Sequence, residues 1–369
     1  MPIVNIDSLS PRNGYKTIRN WGDRDYWYVV AQINNELVVP NEIVHSDYTI
    51  VVSTDFEAYQ SIVGQIYDEL VVKLNILPNR ILLLSENHDL ADVIIKEANQ
   101  RNKGLIQYEC TMVFELSIKF QTSKYYSNRK HIIPKTSAPA KYFLNLNRRW
   151  RIQRPTFVAL LYASGLQNKG HISLPVGDTL DGNEYNWYTT IDTITEHIKN
   201  DDHLYSLIKN NSNIINNIPP LYLDTNKLDV NRVRLYYDDI DHNDTTKLYN
   251  DTAFSIVNET FFFENKGRFL SEKTFKPMTY YHPFILITEP FSLELLRDLG
   301  YKTFEPFIDE RYDRELDNAK RMRMILQEVE RLCKMNTVEM NQFLKNVAPI
   351  TEYNFKRLVT NKSHSYKIL

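Results

Sequence analysis

"GRFLSEKTFKPMTYYHPFILITEP" spans residues 267–290, and its reading decides the fold. Ser271, Glu272, Lys273 and Lys276 stand where a helix would open, and the apolar run 284–288 follows almost at once. Upstream, AFSIVN at 253–258 is a second buried-strand pattern. Strand, helix start and strand make the unit of a parallel α/β sheet. The carboxyl ends of such strands are where nucleotides and phosphates bind. Ser271 suits an N-cap and Glu272 the positive end of a helix dipole, so capping alone accounts for "SEK". Lys273 and Lys276 oppose that dipole, however, and Pro277 costs about 3 kcal/mol inside a helix. A short or kinked helix is therefore expected, with its lysines facing a diphosphate and a carboxylate free to accept ribose hydroxyls. Neither GxGxxG nor GxxxxGK[ST] occurs in the chain, so a dinucleotide fingerprint and a P-loop have no motif support.

The same alternation extends outward. YTIVVS (48–53) and ILLLS (81–85) read as buried strands, and residues 56–74 carry Ile62, Ile66, Leu70 and Leu74 on one helical face. A helix is expected at about 90–99 and a strand pair near 105–120. The first 48 residues show no clear period. Residues 121–140 read as a polar, proline-containing linker. A second series follows: a strand at 141–147, a helix at 155–164 stopped by Gly165, a strand at 171–174, helical pieces near 189–199 and 203–210, then the 253–290 unit, a short helix at 292–299 and two amphipathic helices from about 313 to 359. This predicts an α/β chain of two parallel-sheet domains facing a cleft, 1–120 and 141–369, with C-terminal helices.

Composition sets outer bounds. Hydrophobic residues make up 43% and charged residues 24% of the 369, as in ordinary globular proteins. No apolar run nears the roughly 18 residues that span a bilayer, and the N-terminus lacks a signal-peptide pattern. Two cysteines, Cys110 and Cys333, are too few for a disulfide framework or a cysteine zinc site. A reducing, cytoplasmic setting is expected. The net charge of −2 hides a segregation: residues 116–177 hold no Asp or Glu but eleven Lys or Arg, among them Lys124, Arg129, Lys130, Lys135, Arg148 and Arg149. Such a stretch reads as a phosphate-facing surface. Abundant Asn, Ile, Lys and Tyr fits an AT-rich coding genome such as a phage's.

The segments AFSIVNET, RFLSEKTFKPMTYYHPFILITEPFSLELLRDLGYKTF and FLNLNRRWRIQRPTFVALLYASGLQNKGHISL together resemble the donor-binding domain of fucosyltransferase-like glycosyltransferases of the two-domain GT-B type. The resemblance covers roughly 140–360; the N-terminal third matches no pattern. It implies a donor site for a nucleotide-diphosphate sugar such as a uridine diphosphate sugar, with no prosthetic group and no bound metal. Glu272 would hold the ribose and Lys273 the diphosphate, with Ser271, Lys276, Asn258 and Glu259 beside them. Arg148 or Arg149 would neutralise the leaving nucleotide diphosphate.

Transfer with inversion needs a base on the acceptor hydroxyl. Glu86, His88 and Asp89, at the end of ILLLS, are the candidates, with Asp55 after YTIVVS; loop solvation and capping account for the same residues. Asp239 and Asp241 form a D-x-D, which in GT-A enzymes holds a divalent cation; an acidic, Asn-rich loop produces that spacing readily. For the acceptor, the acid-free basic stretch points to duplex DNA bearing hydroxymethylated pyrimidines, such as hydroxymethylcytosine. Lys124, Arg129, Lys130 and Lys135 would grip its phosphates and the base would be flipped out. A surface glycan or lipid-linked saccharide is the rival acceptor, and a non-catalytic nucleic-acid-binding protein the rival class.

Overall fold

The computed structural model describes residues 16–18, 26–30, 37, 39, 41–45, 47, 49–53, 60–110, 115, 118, 133–147, 151–174, 190–219, 221, 223, 243–264, 267–360 and 366–367. The strands are β1 (Lys16–Ile18), β2 (Tyr26–Val30), β3 (Thr49–Ser53), β4 (Ile81–Ser85), β5 (Gln107–Cys110), β6 (Lys141–Asn145), β7 (Gly170–Ile172), β8 (Thr252–Asn258), β9 (Phe284–Ile287) and β10 (Tyr366–Lys367). They form two sheets, β1-β2-β3-β4-β5-β10 and β7-β6-β8-β9. The fold is mixed α/β, built on two largely parallel sheets.

Chain contacts divide the molecule into two units: 1–113 with 266–269 and 363–369, and 114–265 with 270–362. The second unit thus takes in residues 114–140, expected to be the end of the first domain and a linker. Two short returns belong to the first unit.

In the first unit β2, β3, β4 and β5 run parallel, while β1 and β10 close the edges antiparallel. β4 is buried at all five positions, the continuous aliphatic pattern of a strand covered on both faces. The helix expected over 56–74 begins at Ser61 and widens after Gln65 into a π-helical stretch, Ile66–Lys73. Its buried side is Ile62, Val63, Ile66, Tyr67, Leu70 and Val71. Leu74, at the end of this stretch, is partly buried and packs against the same core. Tyr67 Oη donates to the Gly104 carbonyl (3.0 Å) and accepts from the Ile106 amide (3.3 Å), fixing the entry to β5.

In the second unit all four strands are parallel. β8 is buried along its whole length and β9 likewise. β7 approaches β6 so closely that a Cβ at Gly170 would stand 2.4 Å from the Phe143 ring; glycine is required there. The helix Gln153–Ala163 is buried from Gln153 to Leu161. The two tail helices, Asn318–Cys333 and Thr337–Thr360, present apolar stripes to the core.

Lys135 lies in this second unit. Its Nζ donates to the carbonyl oxygens of Thr252 (2.6 Å) and Tyr249, and burial pulls its pKa down to about 7. The lysine expected to grip DNA phosphate instead ties the 133–140 segment to the start of β8. His282 meets the same place. A carbonyl only accepts, so Nε2–H donates to Thr252 O (2.7 Å) and Nδ1 accepts from Ser255 Oγ (2.7 Å). Burial, with Lys135 adding to it, holds the His282 pKa well below 6.5.

That histidine makes stability depend on pH. Unfolded, it takes a proton near pH 6.5; folded, it stays neutral well below that value. Its contribution is therefore complete above pH 6.5 and is lost as pH falls, by up to about 1.4 kcal/mol per unit. His88, lowered to about 4 by burial and by Arg268, acts in the same direction in the first unit. Urea unfolding should show stability falling from pH 7.5 to 5.5, with a shallower fall in His282→Gln. An identical pH slope in that variant would contradict the assignment.

Candidate functional site

The carboxyl ends of β6, β7 and β8 carry a buried amide relay whose polarity is fixed at its start. Asn145 Nδ2 donates to the Ile256 carbonyl (3.0 Å), which leaves Asn145 Oδ1 to accept from Asn147 Nδ2 (2.7 Å). Asn147 Nδ2 also donates to Ser173 O (2.9 Å), so Asn147 Oδ1 must accept from Asn258 Nδ2 (2.9 Å). Ser173 Oγ closes on the backbone of Asn147 from both sides, accepting from its amide (2.8 Å) and donating to its carbonyl (3.1 Å). All four residues are at most 2% exposed. The strand-end alternation N-L-N at 145–147 carries this relay. The sequence reads 141–147 as a strand but gives these asparagines no role, because nothing in it sets Ser173 and Asn258 beside them.

One residue beyond Asn258, the fully buried Glu259 carboxylate is met by four donors. Oε1 accepts from the Ser271 amide (3.0 Å) and Thr274 Oγ1 (2.5 Å); Oε2 accepts from Ser271 Oγ (2.6 Å) and the Thr260 amide (3.3 Å). Burying a carboxylate is tolerable only when it is so surrounded. Glu259 therefore clamps the start of the next helix to the end of β8, and neither it nor Ser271 is left to hold a ligand directly. Ser271 is the N-cap, as its residue type predicts, and the helix Glu272–Phe275 is a single turn that Pro277 converts to a 3₁₀ turn, Pro277–Tyr280. One turn carries little macrodipole, so the charge here belongs to side chains.

Those side chains are Glu272 and Lys273. Lys273 Nζ donates to Ser271 Oγ (2.8 Å) and lies 3.2 Å from Glu272 Oε1. Their side chains are 29% and 30% exposed, fixed yet reachable from solvent. Burial pushes the Glu272 carboxyl up, but Lys273, the Glu272 amide and Arg154 together outweigh it and hold it below the usual glutamate range. Arg154, in the first turn of the Gln153–Ala163 helix, is 3% exposed. It is the described arginine that acts on Glu272. Arg148 and Arg149, expected in this role, lie outside the described residues. In the sequence Arg154 counts only as one of the eleven basic residues of 116–177. Lys276 is half-buried at the end of the turn, its amide donating to Glu272 O (2.9 Å) and its carbonyl accepting from Thr279 Oγ1 (2.8 Å).

The candidate bases occupy the first unit. Asp89 accepts a two-pronged bond from Arg268, Nε at 2.9 Å and Nη2 at 2.7 Å, and its second oxygen also takes the Arg268 amide (2.6 Å). Its amide bonds Asn87 Oδ1 (2.9 Å), and the His88 amide bonds Arg268 O (3.1 Å). So engaged, Asp89 anchors the 267–268 segment. Gly267 makes this possible: at φ +93°, any Cβ would lie 2.6 Å from Asn87 Oδ1. His88 stays neutral at neutral pH, its pKa near 4. Glu86 is buried at the strand end, and burial together with the Glu86, Asp89 and Glu109 charges pushes the Cys110 thiol up to about 12. Asp55, Lys124, Arg129, Lys130, Asp239 and Asp241 lie outside the described residues. Among the described residues no cluster of three or more His, Cys, Asp or Glu could hold a metal ion.

If Glu259 clamps the helix start, Glu259→Gln must turn an amide NH₂ toward hydrogen-bond donors. The expected loss is about 2–3 kcal/mol in urea unfolding, and wild-type stability would rule the clamp out.

No family model, no curated protein and no solved structure matches the chain.

Proposed function

We propose that the protein is a glycosyltransferase of the GT-B type, with two Rossmann-like domains, that moves a sugar from a nucleotide diphosphate to an acceptor hydroxyl. The observation that carries this reading is the Glu272–Lys273 pair, held at the carboxyl end of a parallel sheet by the buried Glu259 clamp. An ionised carboxylate in that position accepts hydroxyls of a ribose. A fixed lysine beside it, with Arg154 behind, meets the negative charge that grows on the departing diphosphate, and preorganised cations lower such a barrier. In this reading Glu86 takes the proton of the acceptor hydroxyl, and no prosthetic group is needed.

For the acceptor we propose duplex DNA carrying hydroxymethylated pyrimidines, with a saccharide as the competing substrate. The support is the acid-free basic run of the sequence. Part of that run serves the fold: Lys135 holds carbonyls, Lys141 Nζ donates to Asn168 O (2.7 Å), and Lys169 lies over the Tyr142 ring. Lys124, Arg129 and Lys130 carry the DNA proposal. Among the described residues no helix is long and apolar enough to cross a membrane.

Glu272→Ala and Lys273→Ala should each raise the donor KM and lower turnover. Losing a charge-assisted hydrogen bond costs roughly 1.5–3 kcal/mol, or about tenfold to a hundredfold; wild-type kinetics in both variants would sink the donor site. A thermal-shift screen of uridine, guanosine, thymidine and cytidine diphosphates and their sugars identifies the nucleotide, since a ligand at a hundred times its Kd stabilises by about 2.7 kcal/mol. DNA binding through several phosphates should weaken steeply between 50 and 200 mM salt. Transfer to a neutral saccharide with no effect of salt, and none to hydroxymethylcytosine DNA, would replace the DNA acceptor.

A further inference from the structure

The amide relay and the Gln153 side chain each end on an oxygen that has no donor. Asn258 spends its Nδ2 on Asn147 Oδ1 (2.9 Å), and its Oδ1 is buried without a hydrogen-bond partner. Gln153 spends its Nε2 on the carbonyls of Glu259 (2.8 Å) and Thr260 (3.1 Å), and its Oε1 is likewise buried and unpartnered. Neither amide can turn over to relieve this. A flipped Gln153 would set its oxygen against two carbonyl oxygens. A flipped Asn258 would set its oxygen against Asn147 Oδ1, whose own orientation is fixed by Ser173 O. Both residues are at most 1% exposed, and both are tied to residues 258–260 or lie within them. The chain has therefore placed two acceptors of fixed polarity at one strand end, each lacking a donor; unsatisfied buried acceptors are rare and call for a partner.

The partner must donate hydrogen bonds, so it is not a phosphate oxygen. A cationic partner is disfavoured, since Lys273 and Arg154 already bring positive charge to Glu272 at this rim. Neutral hydroxyls meet both conditions. We propose that Gln153 Oε1 and Asn258 Oδ1 form an acceptor pair for sugar hydroxyls of the bound nucleotide sugar. Asn145 and Asn147 act as positioning residues that hold the second acceptor in place. The inference rests on the nucleotide-sugar reading of the same rim and adds to it the groups that select hydroxylated ligands. The hydroxyls belong either to the ribose or to the transferred sugar, and the two sources are separable.

The test uses the full chain and calorimetric titration. Wild type, Gln153→Leu and Asn258→Leu, each checked for native unfolding behaviour, are titrated with ribonucleoside diphosphates and with their 2′,3′-dideoxy counterparts. The nucleoside diphosphate sugars and their deoxy-sugar analogues form a second pair. Wild type should prefer the hydroxylated member of one pair at least tenfold: the first if the ribose is held, the second if the transferred sugar is. Each leucine variant should weaken that preference about threefold or more, Glu272 keeping its share of the ribose, while binding the deoxy ligand as wild type does. If the preference is undiminished in both variants, the acceptor pair is wrong and the donor reading stands; if nucleotides bind but removing either set of hydroxyls costs nothing, the acceptor pair and the ribose role of Glu272 both fall. If no nucleotide binds but free ribose or a hexose does, with loss in both variants, the donor reading falls and the acceptor pair stands. If neither nucleotides nor sugars bind, both fall. Should a leucine variant fail to fold, Gln153→Met and Asn258→Ala replace it. Each removes the acceptor oxygen without setting another oxygen against a neighbouring acceptor, and an undiminished preference there counts against the proposal.

Discussion

A carboxyl group buried at the end of a strand needs hydrogen-bond donors for its oxygens, and Glu259 meets that requirement with two amides and two hydroxyls. This one constraint organises the second unit's rim. To supply the donors, residues 271–274 must return to the end of β8 immediately before β9 begins, which forces a helix of a single turn and then a 3₁₀ turn at Pro277. The turn in which Ser271 caps the helix also sets Glu272 and Lys273 beside each other, partly exposed. The functional reading depends on its place.

The rest of the rim obeys the same rule of satisfying buried polar groups. Asn145, Asn147 and Ser173 pair completely, and their pairing transmits a fixed polarity to Asn258. Gln153 bridges from the neighbouring helix to the carbonyls of residues 259 and 260. At the opposite, amino end of β8, Lys135 and His282 converge on Thr252 O and fix the register of the strand from below. The strand that carries the candidate site is thus pinned at both ends by polar contacts and along its length by apolar burial.

Much of this was legible in the sequence, for identifiable reasons. ILLLS and AFSIVN are continuous apolar runs bounded by polar residues, and each became a strand, the first at the limits read. The tail helices declared themselves by their stripes. Strands β1, β2 and β10 did not, because they are sheet-edge or near-edge segments whose pairing is set by β3 and β5 rather than by their own pattern. At the site, Ser271, Glu272 and Lys273 were visible as residue types at a helix start. Glu259 was visible too but was given a ligand's role, since sequence cannot show that a carboxylate is already saturated by a segment twelve residues on. The contact of Asp89 was hidden for the same reason: its partner, Arg268, lies 179 residues away. Lys135 looked like surface charge because its neighbours in sequence are basic, whereas its neighbours in space are carbonyls.

The central claim is that the Glu259 clamp presents Glu272 and Lys273 to a nucleotide diphosphate. Hydrogen–deuterium exchange of the full chain, with and without the nucleoside diphosphate that stabilises it most, tests this directly. The account predicts slowed exchange on binding at residues 258–260 and 271–274, the two segments the clamp joins. Protection confined to other segments, with these two unchanged while the nucleotide is bound, would contradict it.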